Sequence, residues 1–322
     1  MLSRTADHLF WMARYMERAE NTARMLDVNY QTSLLPQSAD TAEQGWRGLL
    51  TISELTPMFQ QKYGDEFTAR DVMQFMVRDE SNGSSIYSCL HAARENARAV
   101  RGTLTTEVWE TQNQTWLEFN RLLREGAPEE DPAEFFEWVK FRSHLSRGVA
   151  VGTMLQDESL HFMRIGTFLE RADNTARLLD VKFLELTQGR DFFGSTAQDP
   201  QELDFYHWSA VLRSVSAFVI YRRVYRNVIR PEKVAELLML RPDMPRSLAA
   251  CLNEVQANLR LVANQQSNET LRRAGRLCAD LQFARIDEIL ATGLHAYLTQ
   301  FLDRVNDLGA GISRDFLVPV AA

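Results

Sequence analysis

The sequence predicts an all-α protein made of two tandem copies of one helical-bundle unit, packed with approximate internal pseudo-two-fold symmetry. Three observations carry this. A fourteen-residue segment recurs far along the chain, and apolar residues fall at helical spacing over long stretches. No stretch shows the sustained period-2 alternation with β-branched residues that a half-buried strand needs.

The recurrence is specific. Tyr15 to Val28 reads YMERAENTARMLDV and Phe168 to Val181 reads FLERADNTARLLDV, identical at ten of fourteen positions at an offset of 153. Further along, the offset becomes 162: Trp46 pairs with Trp208, Leu50 with Leu212 and Val72 with Val234. Ser85, Cys89, Leu90, Asn96 and Arg98 pair in the same way with Ser247, Cys251, Leu252, Asn258 and Arg260. The nine additional residues implied in the second copy fall in the Gly/Asp/Pro-rich stretch Gly189 to Pro200. The first copy is expected to span 1–144 and the second 145–322, the two packing as one body.

Each element has its own signal. Leu9, Met12, Met16, Ala19, Ala23, Leu26 and Tyr30 form one apolar stripe at spacings of three and four, and Pro36 ends that helix. Trp46 to Phe59 reads as a second helix. Thr68-Ala69-Arg70-Asp71 has the form of a capping box and starts a short third one. Its counterpart starts at Pro231, a good first-turn residue, after a helix that ends near Ile229. Asn82-Gly83 and Pro245 punctuate both copies ahead of the helices carrying Cys89 and Cys251. Pro128 and Pro132 bracket a turn before a helix beginning near Ala133.

Composition bounds the function. The chain is 45% hydrophobic and 25% charged, the make-up of a folded globular protein, and its net charge of −7 argues against a general nucleic-acid binder. Of 36 basic residues only Lys62, Lys140, Lys182 and Lys233 are lysines, which leaves 32 arginines. That excess fits either bidentate carboxylate or phosphate pairing or an arginine-rich codon usage. The most apolar segment, Ala210 to Tyr221, is short and contains Arg213, so no membrane span is expected. Cys89, Cys251 and Cys278 lack metal-type spacing, and Met1-Leu2-Ser3-Arg4 runs straight into the first helix without a leader. A cytoplasmic protein with free thiols is the expectation.

The duplicated helix offers the candidate site. Glu17, Asn21, Arg24 and Val28 lie four, three and four residues apart and share a helix face, with Arg18 one step round. Glu170, Asn174, Arg177 and Arg171 repeat the arrangement. Two readings follow from these residue types. One is a partly buried ion-pair and amide network locking the helix to its neighbours. The other is a symmetric anion or peptide-carboxylate site, or a docking surface, built by Arg18, Arg171, Arg24 and Arg177. Glu158-x-x-His161 has the spacing of helical di-iron proteins but stands alone, so no metal is assigned. His8 and His161 read instead as polar tips at a helix–helix contact. Cys89-x-His91 loses its histidine in the second copy, where Asn253 stands, so the aligned cysteines read as small core residues. No phosphate-cradling loop or nucleophile elbow is present, and neither a cofactor nor a catalytic residue is assigned.

With Leu2-Ser3-Arg4 ahead of a long helix and Glu-Arg-Ala-Glu/Asp-Asn-Thr-Ala-Arg in both copies, the chain closely resembles the bacterial alpha-E domain family over essentially its whole length. The resemblance implies a helical protein, typically a tandem duplication, distinguished by its Glu-Arg motif. It further implies a place in a peptide synthesis or modification system. The expected partners are a circularly permuted ATP-grasp ligase, transglutaminase-like proteins and a proteasome-related peptidase. On this footing the expected function is that of a non-catalytic helical partner binding the ligase or its peptide. The alternative is an enzyme of the same pathway, with the duplicated Glu-Arg face as acid/base and carboxylate clamp. A peptide or amino-acid ligand and a homo-oligomer both fit; nucleic acid and membrane are not expected partners.

Overall fold

The computed structural model describes residues 1–36, 38–192 and 200–317, and every regular element among them is a helix. In the N-terminal half these are α1 (Ser3–Ser33), α2 (Ala39–Ile52), α3 (Thr56–Tyr63), α4 (Ala69–Val77), α5 (Ile86–Ala99), α6 (Thr106–Glu125), α7 (Ala127–Glu130) and α8 (Pro132–Thr153). They are followed by α9 (Glu158–Phe192), α10 (Pro200–Ser214), α11 (Phe218–Tyr225), α12 (Pro231–Met239), α13 (Leu248–Leu261), α14 (Asn268–Phe283), α15 (Ile286–Thr292) and α16 (Leu294–Phe316). The insertion expected at residues 189–200 falls largely outside the described residues.

Local chemistry sets many of these boundaries. Thr68 caps α4 by accepting from the Asp71 amide, while its hydroxyl donates to the Asp71 carboxylate at 2.8 Å. Ser85 and Ser247 cap α5 and α13 in the same way, accepting from the Ser88 and Ala250 amides. Each such cap is worth about 1 kcal/mol. Two expected helix boundaries are corrected. The run Trp46 to Phe59 is two helices, because α2 ends at Ile52 and Glu54 takes a left-handed turn with φ 57°. The helix expected to end near Ile229 stops at Tyr225, where Arg226 turns left-handed. Residues 144 and 145 lie inside the unbroken helix α8.

The core is organised around α1 and α9, the two longest helices, which pack against each other. The predicted stripe of α1 is buried from Leu9 to Leu26, and α9 answers with Ile165, Leu169, Ala172, Ala176 and Leu179, also at spacings of three and four. The backbones come very close at one point: a Cβ added to Gly166 would lie 2.3 Å from the carbonyl oxygen of Phe10. Helices α5 and α8 pack on α1, while α13 and α16 pack on α9.

Aligned residues make matching contacts. His8 meets Asn96 across α1 and α5 at 2.8 Å, and His161 meets Asn258 across α9 and α13 at 2.8 Å, the polar helix–helix tips expected. Helices α3, α4, α5, α6 and α8 begin 162 residues before α11, α12, α13, α14 and α16. Glu54 and Ser216, also 162 apart, both adopt left-handed backbone at the ends of α2 and α10.

Candidate functional site

The Glu-Arg residues of α1 and α9 are each other's partners. Arg171 donates Nε and Nη2 to the two oxygens of Glu17 at 2.8 and 2.9 Å. Reciprocally, Arg18 donates Nε and Nη2 to Glu170 at 2.5 and 3.1 Å. Two bidentate pairs therefore cross the α1–α9 contact in opposite directions, a planar fork-to-fork geometry that lysine cannot reproduce. Arg18 and Arg171 also lie over the rings of Tyr15 and Phe168, themselves aligned. The remaining motif arginines reach across as well. Arg24 donates to the Ser216 hydroxyl at 2.5 Å, and Arg177 pairs with Asp173 and with Glu54, the residue aligned with Ser216.

The surroundings of the two carboxylates differ. Among the described residues Glu170 is met by Arg14 at 2.6 Å and by Arg18, and Asn174 is half-buried nearby on the same helix. Burial raises the Glu170 carboxyl pKa, but Arg14 and Arg18 more than offset it and hold the group at about 2, against an ordinary 4.5. A group depressed in the folded state contributes stability that is present above its unfolded pKa and lost as pH falls through the folded one. The expected contribution is at most about 3 kcal/mol, disappearing between roughly pH 4.5 and pH 2. Urea midpoints measured across that window should fall less steeply in Glu170→Gln than in the parent chain.

Around Glu17 the cluster is larger. Fully buried Glu17 and Glu20 stand one turn apart on α1. Beside Arg171, Glu17 accepts from Arg246 at 2.9 Å and from Arg147 at 2.8 Å. Glu20 accepts from Arg24 at 2.8 Å and from the Ser143 hydroxyl at 2.8 Å, and it pairs with Arg147 at 2.6 Å and with Arg246. Burial raises both carboxyl pKa values, yet the arginines bring them below the ordinary range. Arg246 also donates to the side-chain oxygen of Asn21 at 2.9 Å, leaving the buried Asn21 Nδ2 without a partner. Two carboxylates thus face four guanidiniums.

His144 and Arg147, on the outer side of α8, form the rim. The His144 ring is wedged between Arg147 Nη2 at 2.6 Å from Nδ1 and Arg24 Nη2 at 3.1 Å from Nε2. Burial lowers its pKa below the ordinary value, with Glu20 pulling it up and Arg147, Arg24 and Arg246 pushing it down.

Sequence reasoning named Glu17, Arg18, Asn21, Arg24, Glu170, Arg171, Asn174 and Arg177, and the structure brings six of the eight into ion pairs or hydrogen bonds across the helix contact or to the turns after α10 and before α13. Among the described residues Asn174 shows no such contact, and Arg177 reaches Glu54 in the turn after α2. It missed Glu20, Ser143, His144, Arg147 and Arg246. Only Glu20 had a usable signal, lying three residues after Glu17 and four before Arg24 with an acidic counterpart in Asp173. The others sit on α8 and before α13, at distances along the chain that no helical period connects. Cys89 and Cys251 are fully buried beside this layer, and burial pushes both thiols up to about 12. Among the described residues no group of three His, Cys, Asp or Glu side chains is placed to hold a metal, and no helix is long and apolar enough to cross a membrane.

Fold and site together define an all-helical protein whose two central helices are cross-tied by buried Glu-Arg pairs. The chain belongs to the Alpha-E family, described as a predicted alpha-helical domain with a conserved ER motif, whose profile matches residues 1–317. It is similar to an uncharacterized protein of Mycobacterium bovis, 26% identical over 326 aligned positions covering 93% of this chain and 35% of the relative. Two uncharacterized proteins of Mycobacterium tuberculosis are similar at 26% and 25% identity with the same coverage. The chain therefore spans about a third (35%) of the length of the curated relatives it matches. No solved structure matches.

Proposed function

We propose that this chain is a non-catalytic helical partner of an ATP-grasp ligase in a cytoplasmic peptide synthesis or modification system. Its architecture in this reading is two copies of one eight-helix unit related by a pseudo-two-fold axis through the α1–α9 crossing. The divide then falls in the turn at 154–157, since α8 runs through residues 144 and 145. The crossed Glu-Arg pairs, the matched His–Asn contacts and the common offset of helix starts support that description. The Glu-Arg motif is a frame here: its carboxylates are saturated by guanidiniums, which leaves no free base for acid–base chemistry.

The observation that carries a docking role is an unpaired arginine face. Arg213, Arg222, Arg223, Arg226 and Arg230 are exposed along α10, α11 and the start of α12, and no ion pair holds them among the described residues. No acidic residue occurs between Asp204 and Glu232. Val219 and Val228 are 76% and 74% exposed among them. Arg226 holds left-handed backbone at φ 53°, where the aligned residue of the first half is Gly64 at φ 87°. An arginine in that conformation costs on the order of 1 kcal/mol relative to glycine. Arginine interleaved with exposed apolar side chains suits a protein interface with an acidic partner surface. The extra chain joined to this helical unit in the relatives supports a unit that works against another domain.

The test is co-expression with a circularly permuted ATP-grasp ligase from the same organism. The tagged chain is expected to retain the ligase through size exclusion at low salt, and an Arg222→Glu/Arg223→Glu variant to lose it. A wild-type chain that elutes without the ligase ends this reading. Retention of an oligonucleotide in place of the ligase would reassign the face to nucleic acid.

A further inference from the structure

We propose that the cluster between α1 and α8 is a receptor site for a carboxylate, which enters at the position of the His144 ring between Arg24 and Arg147. The site rests on this chain's own residues, and only the carrier of the carboxylate rests on the docking role proposed above.

Three independent features support it. The first is charge. Among the described residues Arg24, Arg147, Arg171 and Arg246 form ion pairs only with Glu17 and Glu20, so two positive charges are uncompensated there in a region where three of the four guanidinium side chains are no more than 9% exposed. Burying unpaired charge is costly, and one bound anion removes much of the cost. The Arg246 pKa, lowered by burial against the pull of both glutamates, reflects the same imbalance.

The second is hydrogen bonding. Both oxygens of Glu17 and Oε1 of Glu20 already accept from two donors each, and Glu20 Oε2 accepts from the Ser143 hydroxyl with Arg147 ion-paired beside it. The buried Asn21 Nδ2, on a residue 3% exposed, is left with no acceptor. Donors outnumber acceptors throughout the cluster.

The third is the ring itself. Guanidinium N–H groups approach both nitrogens of His144, yet a neutral imidazole has one acceptor nitrogen and one N–H. One of the two contacts is therefore donor against donor. A carboxylate is flat like the imidazole, its two oxygens have nearly the same separation as the ring nitrogens, and both accept. The His144 side chain is 49% exposed, so solvent lies on its outer side. Beside the rim, α8 exposes Phe141 and Val151, at 69% and 65%, which suits a carboxylate carried on an apolar peptide segment.

The test uses thermal melts and titration calorimetry on the full chain. The probes are acetate and L-glutamate as free carboxylates, acetyl-Leu-Glu-Leu-amide as a peptide side chain, and inorganic phosphate as the competing oxyanion. At saturating carboxylate the melting temperature should rise by about 2–4 °C. Arg147→Gln removes a surplus charge, so its ligand-free melting temperature is expected to hold or rise while its response to carboxylate disappears. His144→Glu supplies the carboxylate internally and is expected to melt above the parent with no further response. A stronger response to the tripeptide than to acetate or glutamate assigns the carrier to a peptide, and the reverse assigns it to a free metabolite. No response to any carboxylate, a larger response to phosphate, or a lower melting temperature in His144→Glu would overturn the proposal. None of these outcomes depends on whether the ligase co-purifies.

Discussion

Glu17→Gln is expected to destabilise the fold by roughly 3–5 kcal/mol, because it strips a fully buried charge from three arginines at once. Glutamine preserves the volume, so packing is not the cause. It removes the negative charge and places an NH2 donor among guanidiniums, leaving Glu20 alone against four of them. The same change at Glu170 should cost less. Its partners Arg14 and Arg18 have side chains 18% and 27% exposed and can turn toward water once released. Urea denaturation, which adds no ions, measures both. If the two variants lose equal stability, or Glu17→Gln loses under about 1 kcal/mol, the cluster is screened by solvent and does not hold the helices together. A double-mutant cycle with Arg171→Gln should show strong coupling, since the second change removes one charge that the first left unpaired.

Gly166→Ala carries the second large effect. The substitution ordinarily strengthens a helix by about 1 kcal/mol. Here the added methyl would stand 2.3 Å from the Phe10 carbonyl oxygen and 3.2 Å from its carbon. Both atoms are backbone of α1, so no side chain can rotate away and the two central helices must separate. Overpacking of this kind typically costs about 1–3 kcal/mol or more. The same displacement also lengthens the crossed Arg18–Glu170 and Arg171–Glu17 bonds, so the net loss should exceed 2 kcal/mol on the scale of those terms. Gly148→Ala, in exposed α8 with nothing within 4 Å, is the control and should stabilise slightly. Equal melting temperatures for the two variants would mean that the α1–α9 contact yields without loss.

Both predictions concern the one contact that links the two recurrences of the Glu-Arg motif. The pairing explains how the same short motif can be retained at both places. Each glutamate is the receptor for the other segment's arginine, so either pair fails if one segment drifts. The surroundings of the two pairs differ. Position 147, an arginine in α8, aligns with Gly309 in α16, and Arg246 aligns with Ser84. A cleft of about 210 Å³, lined by Arg14, Asp173, Asn306 and Gly309, lies between α1, α9 and α16.

The sequence by itself determined the helical class, the capped start at Thr68, the buried stripe of α1 and the residues of the Glu-Arg face. These are local properties: a period of 3.6 residues and a side chain reaching its own first turn are written within a few neighbouring positions. It misread Trp46 to Phe59 as one helix because the left-handed turn at Glu54 uses a residue with no conformational signature of its own. Only the tertiary structure decided that Arg18 faces Glu170 and Arg171 faces Glu17, that Arg147 and Arg246 complete the cluster, and that positive charge is left in surplus there. Those pairings join residues 130 to 229 positions apart. No periodicity spans such distances, and the sum of charges in a buried cluster is set by which helices meet.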